Sequence, residues 1–319
     1  HVNNQLALII CKHVDDLKIA GEESEVQNLI AELEAVFGKI DRNDNNFTCV
    51  GIHHHRQENG AIVLDQNEYV GAMRPIVHAE LTGQASDAPC TDAVTRLFWS
   101  LLGAVAYTLL TQHWIAVYVI ALQRYTHKPQ NQHVRKLNSL LKVLQKHKVS
   151  ITYPNMSCSR HIMTFSDASF CKESESKGYG MRGTVILRLG KDSGGKEVCH
   201  LLDATSQSLK LVTRSTFSSE TLAAVGSTDA LIPIMIALNE IICGPYNVEE
   251  LRQAREQSNF VFDSTLAVDA MNLFQHMIDS TKKLPAEKSL FPHLWWLRNA
   301  TLCAPRNLIW CDTRSEERR

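Results

Sequence analysis

No Cys-x-x-Cys pair occurs among the nine cysteines, which are scattered at positions 11, 49, 90, 158, 171, 199, 243, 303 and 311. A structural zinc site therefore has no support, and an odd, dispersed set in a chain of this length reads as reduced thiols in a cytosolic or nuclear compartment. Nothing near His1 has the charged, apolar and small-residue order of a secretory signal, and the first residue is not Met. The chain is expected to be a fragment of something longer. Charge is missing altogether from Leu97 to Gln123, a stretch long enough on paper to span a bilayer. Thr111, Gln112 and His113 interrupt its centre, where polar groups cost most in hydrocarbon. Thr111 also suits a helix N-cap. Two buried helices, near 95–110 and 112–124, and no membrane partner are expected.

Acidic residues are the next absence. Residues 124–160 carry 8 Lys+Arg and no Asp or Glu, whereas residues 1–123 carry 7 against 15 and residues 161–319 carry 18 against 19. The net charge of −1 over 319 residues thus combines an acidic first third, a short basic bridge and a balanced second half. A polyanion would be drawn to the bridge and repelled elsewhere. With 44% hydrophobic and 21% charged residues, the chain as a whole is neither a disordered acidic tail, nor collagen-like, nor a basic nucleic-acid coat.

What is present organises the chain. Leu6–Ile10 and Leu17–Ala20 read as strands of a hairpin with Asp15 and Asp16 at its tip. Ser24, with Gln27 three residues on, reads as the capping box of a helix ending near Phe37. Val50–Gln57 and Ala61–Gln66 read as a second hairpin around Glu58-Asn59-Gly60. Residues 74–92 contain Pro75 and Pro89 and are expected to be a linker. In the basic bridge, a helical period gathers Leu137, Leu140, Leu141 and Leu144 on one side and Arg135, Lys142 and Lys146 on the other. The outer stripe is either a solvated face or a phosphate-binding surface. From His161 onward, strands at 161–166, 179–189 and 197–203 precede a helix at 218–242, a strand at 259–262, a helix at 264–278 and a strand at 307–311. That order predicts a mixed sheet with helices packed on it.

Three carboxylates in this half fall at comparable positions. Asp167 and Asp263 are each expected to end a strand, and Glu220 to sit in a first helical turn. Strand ends and helix starts on one sheet edge converge, and hard oxygen ligands of that kind hold Mg2+ or Mn2+, a pair of which can hydrolyse a phosphodiester. Each also has a local reading, the aspartates as turn or cap residues and Glu220 as a partner of the helix dipole. Spacing alone leaves both open. Of His53, His54 and His55, only the first and last share a strand face. No third ligand is evident, so an exposed hairpin edge is expected. Trp295-Trp296 is read as helix core ahead of base stacking.

The paired aspartates between two apolar strands resemble the hairpin of reverse transcriptases. Val50-Gly51-Ile52, Leu64-Asp65-Gln66-Asn67-Glu68-Tyr69-Val70 and Ser100-Leu101-Leu102-Gly103-Ala104-Val105-Ala106-Tyr107 then follow the order of copia-type retrotransposon Pol polyproteins. In that family a ribonuclease H domain follows the polymerase. Phe165-Ser166-Asp167-Ala168-Ser169, Ser218-Ser219-Glu220-Thr221 and Asp263-Ser264-Thr265-Leu266 resemble its first three acidic motifs. The resemblance implies an α/β (α+β) chain: palm remnant at 1–73, linker at 74–92, helical thumb or connection segment at 93–157, ribonuclease H-like domain at 158–315 and aberrant tail at 316–319. It implies metal-dependent hydrolysis of RNA in RNA–DNA hybrids, with Asp167, Glu220 and Asp263 holding Mg2+ or Mn2+ and Arg135, Lys142 and Lys146 on the phosphates. Asp15 and Asp16 would belong to an incomplete polymerase site. The rest of the polyprotein would be a partner, in a cytoplasmic particle or the nucleus.

Two departures accompany the match. A further polymerase aspartate would precede His1, and His13 stands where the family usually has Tyr, so polymerization by this chain alone is not expected. The last ribonuclease acid would fall at or near Arg319. Asp312 comes too early, and Glu316 and Glu317 are substitutes by proximity only. The rival expectations are a catalytically dead nucleic-acid-binding remnant and an interaction module with no nucleic-acid role.

Overall fold

The computed structural model describes residues 6–312 apart from 15, 158, 170–178, 258, 280, 282–284, 286, 301–304 and 306. They fall into two compact units, one of residues 1–44, 156–203 and 209–319 and one of residues 45–155 and 204–208.

The first unit opens with β1 (Leu8–His13) and β2 (Asp16–Gly21), antiparallel from Leu8↔Gly21 to His13↔Asp16. Gly21 is required there, because a Cβ would lie 2.2 Å from the Ala7 carbonyl oxygen. Helix α1 (Glu23–Phe37) follows. Glu22, not Ser24, is its N-cap, and no side chain caps it. Gln27 instead donates to Glu23 Oε1 at 2.5 Å.

The second unit contains an antiparallel sheet of β3 (Asn46–Cys49), β4 (Ile52–Arg56), β5 (Ile62–Asp65) and, from the far end of the unit, β6 (Ile151–Tyr153), in the order β3-β4-β5-β6. Val50, expected in a strand, is instead in the β3–β4 turn. Cys49 pairs with Ile52, leaving Val50 and Gly51 as a two-residue loop with φ of 51° and 67°. Positive φ at both positions matches the twist of the flanking strands. It is strained for a β-branched residue, and the Tyr107 hydroxyl holds it by donating to the Val50 carbonyl. His53 and His55 stack on one face, and His54 is buried on the other with its ring parallel to Phe47.

Helices α2 (Asn67–Ala72), α3 (Asp92–Tyr107), α4 (Ala116–Gln123) and α5 (Asn131–Lys146) complete this unit. Their core gathers Val94, Phe98, Leu102 and Val105 of α3, Ile115 just before α4, Val119 of α4, and Val134, Leu137, Leu141 and Leu144 of α5. The α5 stripe is thus buried. Residues 74–92 are not a free linker. Ile76 is buried, and Asn138 of α5 pairs with it like a neighbouring strand, donating to its carbonyl and accepting from its N–H, both at 2.9 Å. Gln145 donates to the carbonyls of Val70 and Met73, each at 3.0 Å. Thr111 lies between two 3-10 turns and donates to Gln66 Oε1 at 2.9 Å, with both side chains buried, so it caps no helix.

The chain continues with β7 (His161–Ser169), β8 (Met181–Lys191) and β9 (Glu197–Ser208), whose residues from 204 on count with the second unit, and the first unit then adds α6 (Thr216–Cys243), α7 (Val248–Glu256), β10 (Asp263–Val268), α8 (Met271–Ile278), α9 (Phe291–Ala300) and β11 (Asn307–Trp310). The sheet order is β11-β10-β7-β8-β9, with β10 parallel to β7 and β11 and antiparallel pairing between β7 and β8. Ile162, Ile186, Leu231, Met235, Phe260 and Phe262 form one core beneath α6, and Ala224, Leu266, Val268, Leu273, Leu294 and Leu297 form another. Trp296 packs against the second, whereas Trp295 is 62% exposed. Among the described residues, two helices, Asp92–Leu110 and Thr216–Cys243, are long and apolar enough to cross a membrane by length and composition. Here the first packs in the helical core and the second against β7 and β8.

The strand expected at 259–262 starts later. Phe260 and Phe262 are core residues of the connection, held out of the sheet by Asn239, a fully buried side chain that accepts the Val261 N–H at 2.6 Å and donates to Met235 O at 2.7 Å. Asp263 therefore begins β10 instead of ending a strand.

Candidate metal centre

The register of the two central parallel strands decides which carboxylates meet. Asp263 pairs with His161 and Val268 pairs with Ser166. One step further along each strand come Asp269 and Asp167, side by side at the same edge. Asp263 lies six residues back, roughly 20 Å away at about 3.3 Å per residue. It belongs to the opposite edge, and the third carboxylate of the cluster is Asp269.

Glu220 reaches the pair from α6. Ser215 caps that helix, its Oγ accepting the Ser218 N–H at 3.1 Å. Ser219 adds a bond to Thr213 Oγ1 at 2.8 Å, and the Ser218 hydroxyl donates to the Glu287 carboxylate. This hydroxyl framework fixes the first turns, and Glu220 follows directly. On the other side, Trp310 Nε1 donates to Asp269 O at 2.9 Å and Cys311 N to Val268 O at 2.9 Å, tying the end of β10 to β11.

One oxygen from each of Asp167, Glu220 and Asp269 lies within 4.8 Å of the others. Burial pushes the Glu220 carboxyl up to about 8 from its usual 4.5, with further repulsion from Asp269 and Asp167 against a lowering hydrogen bond from the Ala168 backbone. Asp269 is also raised, by burial and by Asp167. Asp269 Oδ1 is buried and has no hydrogen-bond partner among the described residues. Three converging carboxylates, two of them reluctant to ionise, and one orphaned oxygen form a set that a hard divalent cation satisfies. The residues present fit such an ion.

The other sequence-based candidates are placed differently. Asp16 opens β2 opposite His13 and is exposed. Asp15, Glu316, Glu317 and Arg319 lie outside the described residues. Asp312 follows β11, exposed, and is not in the cluster. Lys142 and Lys146 point outward from α5. Arg135 does not join them as a free cation. Its guanidinium donates to Ser86 Oγ at 2.7 Å, Leu81 O at 3.0 Å and Gln84 O at 3.3 Å, clamping the segment before α3.

A three-stranded antiparallel run, a helix across it, two further parallel strands and an acidic cluster at their shared edge are now all in place. The sheet and its helices form a mixed α/β fold. No protein-family model and no curated protein matches the sequence. Among solved structures, LC11-RNase H1 in complex with an RNA/DNA hybrid is similar at 12% identity, over 49% of this chain and 89% of that one, with a TM-score of 0.31. RNase H1 of the halophilic archaeon Halobacterium salinarum is similar at 10% identity over 50% and 90%, with a TM-score of 0.29. A foamy viral protease-reverse transcriptase in complex with an RNA/DNA hybrid is similar at 12% identity over 95% of this chain and 36% of that one, with a TM-score of 0.44.

Asp269 was missed because β10 carries no alternation. Its residues after Asp263 are all buried, as in a parallel strand covered on both faces. The signal that could have found it is an apolar run, Leu266-Ala267-Val268, stopped by an acid.

Proposed function

We propose that this chain hydrolyses the RNA strand of RNA–DNA hybrids with a divalent metal ion, as the ribonuclease H part of a copia-type retrotransposon Pol polyprotein attached to part of a reverse transcriptase. The observation that carries this reading is the convergence of Asp167, Glu220 and Asp269 around the orphaned Asp269 oxygen. Mg2+ or Mn2+ held there would supply Lewis-acid chemistry at a phosphodiester. Asp167, exposed at the strand end, offers its carboxylate to the open side of the site. Glu220, whose carboxyl is raised to about 8 without an ion, would give up its proton on holding the ion. Ala168, through its backbone N–H, keeps Glu220 turned toward the sheet edge. Lys142 and Lys146 would contact hybrid phosphates, which position a duplex without reading its sequence.

The test is incubation of the full chain with an end-labelled RNA–DNA hybrid and Mg2+ or Mn2+. Cleavage is expected, with Asp269→Asn and Asp167→Asn each abolishing it and Asp263→Asn leaving it within about two-fold, since Asp263 lies at the far edge. Intact hybrid with both ions would refute nuclease activity. Salt-sensitive hybrid binding that survives Asp167→Asn in that case would identify a catalytically dead remnant.

A further inference from the structure

The helical unit carries an aromatic surface, beside the Lys146 already assigned to hybrid phosphates, that the proposed nuclease reaction does not use. Trp114, in the 3-10 turn His113–Ile115 that leads into α4, and Tyr118, four residues on in α4, are 40% and 56% exposed, with Val117 beside Tyr118 also exposed. Residues three and four apart share a helix face, so the two rings border one strip. Trp114 is exposed yet held firmly. Its Nε1 donates to Gln112 Oε1 at 3.0 Å, and Gln112, 1% exposed, donates in turn to Val149 O at 2.8 Å. Its ring meets His147 edge-on, with centroids 6.3 Å apart and planes at 80°. His147 lies between Lys146 and Lys148, both exposed.

Charge selects the occupant. The sequence has no Asp or Glu from Ala93 to Ser166, so no carboxylate on α4, α5 or their connections competes for these lysines. A protein partner for an apolar strip would not need that exclusion; a polyphosphate backbone does. A paired duplex hides the faces of its bases, while unpaired bases offer them for stacking on Trp and Tyr. We propose that Trp114 and Tyr118, with Lys146 and Lys148, form a binding site for unpaired nucleic acid, such as a single-stranded extension of a hybrid. The site stands independently of the nuclease reading and would remain if hydrolysis failed.

The experiment compares two fluorescein-labelled probes by anisotropy with the full chain in EDTA: a blunt RNA–DNA hybrid, and the same hybrid bearing an oligothymidine extension of about ten nucleotides, a typical single-strand site size. The extension is expected to tighten binding by at least about five-fold, the lower end for one stacked base. Trp114→Ala and Tyr118→Ala should each remove most of that gain and leave the blunt-hybrid affinity unchanged; Trp114→Phe should keep most of it. Tyr118→Ala, at an exposed position, serves if Trp114→Ala fails to fold. Equal affinity of wild type for the two probes, or retention of the gain by Tyr118→Ala, would overturn the proposal. Self-association in sedimentation that Tyr118→Ala abolishes, without any gain from the extension, would assign the strip to a protein interface instead.

Discussion

Replacing Glu220 by Gln in the metal-free protein is expected to stabilise it, and more so as pH rises. In the fold, the Glu220 carboxyl is pushed up to about 8 from 4.5, first by burial and then by Asp269 and Asp167. A raised carboxyl pKa means that the folded state binds the proton more tightly than the unfolded one. Its contribution is therefore fully present below about 4.5 and is lost progressively as pH rises toward 8. The span from 4.5 to about 8, at about 1.4 kcal/mol per pH unit, sets a ceiling near 5 kcal/mol. Glu220 is only partly buried, so water screens much of this, and about 1–3 kcal/mol is expected. Gln resembles the protonated acid and does not ionise. Urea unfolding in EDTA at pH 5, 6.5 and 8.5 should show wild type and Glu220→Gln nearly equal at pH 5 and separated by about 1 M in midpoint at pH 8.5, for an m-value of 1–3 kcal/mol/M. Because Asp269 is raised as well, the gap reports the trio as a coupled set. Adding Mn2+ should reverse it, since the ion stabilises only the protein that binds it. A gap that stays constant from pH 5 to 8.5 in EDTA would refute the reasoning.

Three further expectations concern the second unit. Val50→Gly should stabilise by about 1 kcal/mol, because a β-branched residue at φ 51° is relieved; thermal melting checks it. Asn138→Ala should cost about 2–3 kcal/mol by leaving the N–H and carbonyl of Ile76 without their partner, which urea unfolding reads directly. Lys142→Ala and Lys146→Ala should each flatten the salt dependence of hybrid binding by roughly one unit of log-log slope, whereas Arg135→Ala should leave that slope unchanged and lower the melting temperature.

The parts of the molecule legible in its sequence are those governed by local period and local caps. The Leu137, Leu140, Leu141 and Leu144 stripe of α5 is buried as the helical period requires, and the first hairpin pairs where two apolar runs flank a polar tip. Asp167 and Glu220, which converge in the structure, each lie beside a motif readable within a few residues. Asp269 was not, since its place depends on which residue of β10 lies beside Ser166, a long-range register that a uniformly apolar strand does not encode locally. The Val50 turn has the same character. A valine gives no turn signal, and the Tyr107 hydroxyl that holds it is 57 residues away. Asn138 reads as an ordinary polar helix residue until Ile76 arrives beside it.

The spacing of Asp167 and Asp269 is a property of the backbone. Hydrogen bonds between β7 and β10, not the packing of any particular side chain, hold the two carboxylates together against their repulsion. Other side chains of those strands can therefore be substituted while the cluster keeps its spacing. An inserted or deleted codon in either strand has the opposite effect. It shifts one aspartate by a full residue step, about 3.3 Å along the sheet, and turns its side chain to the other face. Outside the three carboxylates themselves, single-residue insertions or deletions in these strands should therefore disturb the cluster more than substitutions do.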